Sequence, residues 1–144
     1  MSVFVDTNVL VYARDLSEPV KQQSAQEWMS VLWASQKGRI SVQVLNEYYV
    51  TVTRKLNPGL SAQDARADIE DFHAWVPVAI STAILSAAFA VEDSFGFAYW
   101  DCLIVATAQA ASCRYLLTED LQDAQRIDAV TVVNPFMHRP DEIL

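Results

Sequence analysis

The strongest constraint on the fold is an alternation of short apolar segments with longer segments of helical periodicity. The apolar segments lack the polar–apolar alternation of a strand that has one face in water. Strands of this kind are buried on both faces, and strands that alternate with helices form a parallel sheet covered by helices. The predicted fold class is therefore α/β. The predicted strands cover residues 3–6, 39–42, 76–80, 114–117 and 131–133.

The length and composition are those of one compact domain. A chain of 144 residues buries about two thirds of its unfolded surface on folding, which is enough for one substantial core. Hydrophobic residues make up 52% of the chain, and no repeat or low-complexity segment is visible. Residues 1–144 are therefore predicted to form a single domain. The predicted helices cover about residues 7–15, 19–37, 43–55, 62–75, 81–90 and 99–112, with a loop at 93–98.

The sequence carries no signal for export or membrane insertion. The segment MSVFVDTN lacks a basic region and a long apolar run, which argues against a secretory signal. The most apolar window, VPVAISTAILSAAFAV, is interrupted by Pro77 and is shorter than the roughly 20 residues of a membrane span. We expect a cytoplasmic protein without membrane contact. Cys102 and Cys113 are expected to be buried free thiols.

The net charge is −8, which argues against a protein that wraps nucleic acid through its own positive charge. A nuclease remains compatible with this charge. A cluster of carboxylates can hold divalent cations, and those cations then face the phosphate.

Two acids stand at the ends of predicted strands. Asp6 follows the apolar run VFV, and Asp120 follows the LLT of a late strand. Ligands of parallel α/β sheets bind beyond the carboxyl ends of the strands, so both carboxylates are expected at that edge. Each also has an ordinary structural explanation, since Asp6 can cap the following helix and Asp120 can belong to an acidic turn.

Two further acids lie on predicted helices. Asp101 precedes Ile104, Val105 and Ala108 at helical spacing, which places a carboxylate on a face that otherwise packs into the core. Glu47 lies at the edge of an apolar stripe. Helix-dipole stabilisation explains Asp101 alone, and an ordinary solvated position explains Glu47 alone. Four carboxylates brought together repel one another, so the set as a whole predicts a Mg²⁺ or Mn²⁺ site.

The chain resembles the PIN-domain ribonucleases, and within them the VapC toxins of bacterial toxin–antitoxin pairs. The resemblance rests on five ordered segments, which are VFVDTNVLVYA, SVQVLNEYY, YWDCLIVATAQAASC, LLTEDLQD and VNPF. It implies a three-layer α/β/α fold with a central parallel sheet. It also implies that Asp6, Glu47 and Asp101 bind the metal with Asp120 as the fourth acid. The supporting residues that it implies are Thr7, Asn8, Thr118 and Asp123.

The resemblance implies a metal-dependent endoribonuclease that hydrolyses RNA phosphodiester bonds as the toxin of such a pair. The implied partners are RNA, a cognate VapB-like antitoxin and a second copy of the chain in a homodimer. Two alternatives stay open, a PIN-fold nuclease acting on DNA or on structured nucleic acid, and a non-catalytic module that binds metal or nucleic acid. A phospho-acceptor receiver domain is disfavoured, because it needs a lysine after the last strand and this chain reads VVNPF there.

The chain departs from the family pattern at two places. Family members often have glycine after LQD, where this chain has Ala124, and often a serine shortly before the WD acid, where it has Phe97 and Ala98. Both departures affect the geometry of loops that border the predicted site, but neither changes one of the four acids.

Overall fold

A five-stranded sheet forms the centre of the computed structural model, which describes all 144 residues. The strand order is β2-β1-β3-β5-β4, and every neighbouring pair is parallel except β4 with β5. The strands are β1 (Val3–Val5), β2 (Gly38–Arg39), β3 (Tyr115–Leu117), β4 (Arg126–Ile127) and β5 (Val130–Val133).

Seven helices surround the sheet. They are α1 (Thr7–Tyr12), α2 (Pro19–Ser35), α3 (Val42–Arg54), α4 (Ala62–Phe72), α5 (Thr82–Phe95), α6 (Tyr99–Ala110) and α7 (Pro140–Ile143). A short 3₁₀ turn, His73–Trp75, extends α4. None of these helices combines the length and hydrophobicity that a membrane crossing requires.

The burial of β1 shows that the sheet is covered on both faces. Successive side chains of a strand point to opposite faces, yet Val3, Phe4 and Val5 are all fully buried. The helices therefore form a layer on each side, and the predicted α/β class with its three-layer α/β/α arrangement is confirmed. One cluster of 33 buried hydrophobic residues forms the core.

Serine caps determine where three of the helices begin. The hydroxyl oxygens of Ser41, Ser61 and Ser81 accept backbone N–H groups in the first turns of α3, α4 and α5. Helix α6 differs, because Ala98 occupies its N-cap position and has no side chain that can accept a hydrogen bond.

The topology places a crevice at the carboxyl ends of β1 and β3. The chain leaves β1 towards β2 on one side of it, and β3 later joins the other side. Strand order reverses at this point, and the diverging connections leave a crevice in which α/β proteins bind their ligands. Asp6 directly follows β1, and residues 118–120 directly follow β3.

The strands differ from the prediction at two places. Residues 76–80 form no strand: Val78 makes one isolated bridge to Ser41, and Val76 has a φ of 49°, which interrupts extended backbone. Strand β4 was not predicted, because two residues are too few to carry a hydrophobic pattern. Its antiparallel pairing with β5 makes the sheet mostly parallel rather than wholly parallel.

Two helix ends also differ from their predictions. Helix α5 continues through the predicted loop to Phe95 and ends at Gly96, which has a φ of 70°. Helix α6 ends at Ala110, so Cys113 lies beyond it. Both cysteines are buried and free, as predicted.

Candidate metal centre

Asp6 lies at the end of β1 and is almost completely buried, with 6% of its surface exposed. Its Oδ1 accepts the backbone N–H of Thr7 at 2.7 Å, which makes Asp6 the N-cap of α1. Its Oδ2 accepts the Thr118 hydroxyl at 2.8 Å and the Asn8 amide at 3.3 Å. The carboxylate is therefore held by donors from two neighbouring strand ends.

Asn8 joins Asp6 to Asp120. The Asn8 Nδ2 donates to Asp120 Oδ2 at 3.0 Å and to Thr118 Oγ1 at 3.0 Å. The Thr118 oxygen also accepts the backbone N–H of Asp120 at 3.1 Å. Asn8, Thr118 and Asp120, all predicted site residues, thus connect the loop after β3 to the start of α1.

Asp101 completes a cluster of three carboxylates. It lies half-buried in the first turn of α6. Asp6, Asp101 and Asp120 each present an oxygen, and these oxygens all lie within 4.8 Å of one another. The structure therefore brings together three of the four predicted acids, each from a different element.

Glu47 lies beside this cluster rather than within it. Its Oε2 accepts the Thr7 hydroxyl at 2.7 Å, and its Oε1 accepts the Gln43 amide at 2.8 Å. Thr7 therefore donates to both Asp6 and Glu47, which ties α3 to the start of α1. The sequence placed Thr7 beside the first acid, but no local pattern reveals this bridge between residues 40 positions apart.

Asp123, the further predicted candidate, lies outside the cluster. Its Oδ1 accepts the backbone N–H of Asn134 at 2.9 Å, and its Oδ2 pairs with His138 Nε2 at 2.8 Å. Both carboxylate oxygens are therefore engaged with the C-terminal segment. Ala124, which follows it at the family's glycine position, has a φ of 68°, a conformation that glycine adopts without strain.

The charge of the cluster is not balanced by any basic side chain. None of the salt bridges in the structure involves the four predicted acids. Burial raises the pKa of Asp6 to about 7, against hydrogen bonds from Thr118 and Thr7 that favour the charged form. Burial, together with the negative charges of Asp120 and Glu47, also raises the pKa of Asp101.

The donor set fits a divalent cation such as Mg²⁺ or Mn²⁺. These cations prefer carboxylate, carbonyl and water oxygens, and the cluster offers three carboxylates from separate elements. The Asn8 Oδ1 is buried without a hydrogen-bond partner, so one acceptor beside the cluster also lacks a donor. A cation with its bound water would supply the positive charge and the donors that the chain itself lacks.

The fold and the site define a class, which is the α/β proteins that gather carboxylates at the carboxyl edge of a mostly parallel sheet. The model of one family, the PIN domain, matches residues 3–130. The chain belongs to the PIN domain family, and the family resemblance in the sequence is confirmed. No curated protein matches the sequence.

Three solved structures share the fold. A toxin–antitoxin complex from Klebsiella pneumoniae has a TM-score of 0.62 and 21% sequence identity, over 93% of this chain and 98% of that chain. VapBC2 from Rickettsia felis, bound to a DNA fragment from their promoter, has a TM-score of 0.59 and 17% identity, over 92% and 97%. Mycobacterium tuberculosis VapC20, a toxin that cleaves the sarcin–ricin loop, has a TM-score of 0.55 and 20% identity, over 80% and 87%.

Proposed function

We propose that this protein is a metal-dependent endoribonuclease and the toxin of a toxin–antitoxin pair. The observation that carries the proposal is the cluster of Asp6, Asp101 and Asp120 at the strand-order reversal of a PIN domain. The similar structures support the toxin assignment, because they include two toxin–antitoxin assemblies and a toxin that cleaves RNA in the sarcin–ricin loop.

In the proposed mechanism, Asp6, Asp101 and Asp120 hold Mg²⁺ or Mn²⁺. When bound, the cation activates water and neutralises charge that develops on the phosphoryl group. Thr7 and Gln43 hold the Glu47 carboxylate beside the cluster, where an oxygen of Glu47 can accept a proton from the attacking water. Attack by water rather than by the ribose 2′-hydroxyl leaves a 5′-phosphate and a 3′-hydroxyl.

The proposal includes the protein's partners and setting. A carboxylate cluster without a basic partner suits an arginine from an antitoxin segment, since guanidinium binds carboxylates through paired hydrogen bonds. We further propose a VapB-like antitoxin, a homodimer, a cytoplasmic location and a single domain over residues 1–144. The single core cluster supports the last of these.

The test is cleavage of RNA and of matched single-stranded DNA by antitoxin-free protein, with Mg²⁺, with Mn²⁺ and with EDTA. The wild-type protein is compared with Asp6→Asn and with Asp93→Asn, which removes the same charge from the exposed surface of α5. We expect metal-dependent RNA cleavage that is lost in Asp6→Asn and retained in Asp93→Asn.

Two results contradict the proposal. Cleavage of DNA in preference to RNA identifies a DNA nuclease of the same fold. A folded protein that binds Mn²⁺, measured by calorimetry, but cuts neither nucleic acid identifies a binding module.

A further inference from the structure

Two basic side chains in the region of α1 and α2, Arg14 and Lys21, are already paired with acids. Lys21 Nζ lies 2.9 Å from Glu119 Oε2, and Arg14 lies 2.5 Å from Asp68. The net charge of the chain is −8. Phosphate contacts normally supply most of the affinity for nucleic acid, and they come from unpaired lysine and arginine. We therefore expect contacts to the bases to contribute part of the affinity for an RNA substrate.

One exposed aromatic side chain is placed to make such a contact. Trp100 is 64% exposed and directly precedes Asp101, a member of the acid cluster. Tryptophan is highly buried in most proteins, so a tryptophan exposed beside a candidate active site is informative. The other three tryptophans are Trp28 and Trp75, which are buried, and Trp33, which packs on Phe72 and Trp75.

Trp100 lines a cleft that borders the candidate active site. The cleft has a volume of about 650 Å³ and lies between α3, α6 and residues 79–80. Glu47 forms part of its wall, so anything bound there lies against the acidic site. Two amide side chains, Gln43 and Asn46, also line it and can hydrogen-bond to the edges of a base.

The Trp100 ring contacts one neighbouring aromatic ring. Its centroid lies 5.5 Å from that of Tyr99 in an edge-to-face contact. A ring held in this way loses little conformational freedom when a ligand stacks on it.

We propose that Trp100 is a base-stacking residue, and that the cleft it lines receives a nucleobase adjacent to the scissile phosphate. This inference rests on the proposed ribonuclease function. An aromatic platform with flanking amides is the usual means of binding unpaired bases, and every base presents a face for stacking. A nucleobase fits the observations better than a second copy of the chain, because the cleft shares Glu47 with the acids on which the substrate must lie.

The first experiment compares the cleavage kinetics of Trp100→Ala, Trp100→Phe and Phe89→Ala on a single-stranded RNA whose cleavage site has been mapped. Phe89 is a 52% exposed aromatic residue that contacts neither Trp100 nor the cleft, so it serves as the matched control. We expect Trp100→Ala to raise KM roughly 5- to 150-fold with kcat little changed, the cost of one lost stacked base. Trp100→Phe retains most of the affinity and Phe89→Ala retains all of it.

An abasic substrate then identifies the contact. With the wild-type protein, removing the base beside the cleavage site raises KM by the same factor as Trp100→Ala. With Trp100→Ala, the abasic substrate has no further effect, because the two changes delete the same contact. Effects that multiply instead show that Trp100 and this base do not touch, and they overturn the proposal.

A binding measurement separates this inference from the proposed function. Quenching of tryptophan fluorescence is followed as single-stranded RNA is added to Asp6→Asn, with Asp6→Asn/Trp100→Phe as the control for the other three tryptophans. We expect quenching that disappears in the control. Wild-type cleavage of RNA without such quenching overturns the base-stacking role and leaves the ribonuclease function standing. If Trp100→Ala dissociates a dimer without changing KM, the cleft is a subunit interface. That result also overturns the base-stacking role.

Discussion

Asp6 has two roles that favour different charge states of its carboxyl group. As the N-cap of α1, it is stabilised when charged, because its Oδ1 accepts the Thr7 N–H. As a buried member of an acid cluster, it is stabilised when neutral. Burial prevails and raises its pKa to about 7, so a proton and a metal ion compete for this site at neutral pH.

We therefore expect the affinity for Mn²⁺ to depend on pH in a defined direction. Below pH 7 Asp6 binds a proton that the metal must displace, so the affinity rises with pH and levels off above about pH 7. Titration calorimetry from about pH 5.5 to pH 8 measures this, and heats in buffers of different ionisation enthalpy report the proton released. Asp6→Asn is the control, which binds more weakly and shows a smaller pH dependence. An affinity for the wild-type protein that is constant below pH 7 contradicts the expectation.

We expect the charge on Asp101 to destabilise the metal-free fold. No hydrogen bond stabilises the charged form of its carboxylate. Burial and the negative charges of Asp120 and Glu47 raise its pKa. We expect Asp101→Asn to raise the free energy of unfolding without metal by up to about 1 kcal/mol, a small value because a half-exposed charge is screened by water.

Denaturant titrations with and without Mn²⁺ measure this effect of Asp101→Asn. Added Mn²⁺ stabilises the wild-type protein, and we expect much less stabilisation of the variant. Asp93→Asn, on the exposed surface of α5, is expected to behave like the wild-type protein. If Asp101→Asn is less stable than the wild-type protein when both are free of metal, the Asp101 charge is stabilised by its surroundings and the expectation is wrong.

Some residues of the site could be predicted from the sequence, and others could not. Asp6, Asp120 and Asp101 were visible because each stands where an apolar environment makes an acid unusual, at a strand end or on a core-facing helix surface. Asp123 was a candidate only through the family resemblance, and its partner is His138, 15 residues further on. A tertiary contact of this kind leaves no trace in local periodicity, and for the same reason the exposed position of Trp100 was not anticipated.

At the scale of an element, α6 carries Asp101 but lacks an N-cap. Ala98 occupies the N-cap position without a side-chain hydrogen bond, whereas α3, α4 and α5 each begin at a serine. This explains in physical terms why family members often have serine near this point. The start of α6 is consequently one of the weaker parts of the framework around the acids.

We expect Ala98→Ser to raise the free energy of unfolding by about 1 kcal/mol, because the serine hydroxyl can accept an N–H of the first turn. Chemical denaturation at fixed pH measures the change. The same substitution at Ala90, exposed within α5, is the matched control and is expected to destabilise slightly, since serine is a poorer helix former than alanine. Equal effects at the two positions would show that Ala98→Ser does not act through capping.

The wrong predictions of secondary structure have one cause in common. Residues 92–94 are polar and exposed, which favours a loop by composition, but α5 continues through them because a surface helix can present one face to water. Residues 76–80 are apolar and strand-like, but they make only one bridge to Ser41. In both segments, neighbouring elements rather than local propensity determine the structure.

At the scale of the whole molecule, the C-terminal segment is fastened to elements distant in sequence. The indole N–H of Trp28, on α2, lies 3.2 Å from the Pro135 carbonyl oxygen and 2.9 Å from that of His138. His138 in turn pairs with Asp123 at 2.8 Å. This pair connects the C-terminal segment to the loop that follows Asp120.

The pH dependence of this connection has a defined sign. The hydrogen bond to Asp123 raises the pKa of His138, so its stabilisation is fully present below about pH 6.5 and is lost as the pH rises through the folded-state pKa. Burial opposes ionisation of Asp123, but the Asn134 N–H and His138 hold its pKa below the ordinary value. Its stabilisation is present above about pH 4 and is lost in stronger acid.

We therefore expect His138→Gln to cost most stability between about pH 4.5 and pH 6 and less at pH 8. Thermal unfolding of the variant and the wild-type protein across this range measures the difference. His73→Gln, on an exposed histidine that lies 3.5 Å from Glu70, is the control and is expected to change stability little. A His138→Gln effect that is the same at pH 5 and pH 8 would show that the charge of His138 contributes nothing.

Asn8 and Asp120 are 112 residues apart in the chain, yet they share a hydrogen bond within the acid cluster. A ribosome therefore makes β1 and Asp6 long before it makes the strand that brings Asp120 beside them. Until β3 is available, β1 lacks one of its two neighbours, and the carboxylates cannot assemble. For a protein proposed to be a toxin of the cell that synthesises it, this order of assembly means that a growing chain has no complete nuclease site until β3 and Asp120 have been made and have joined β1.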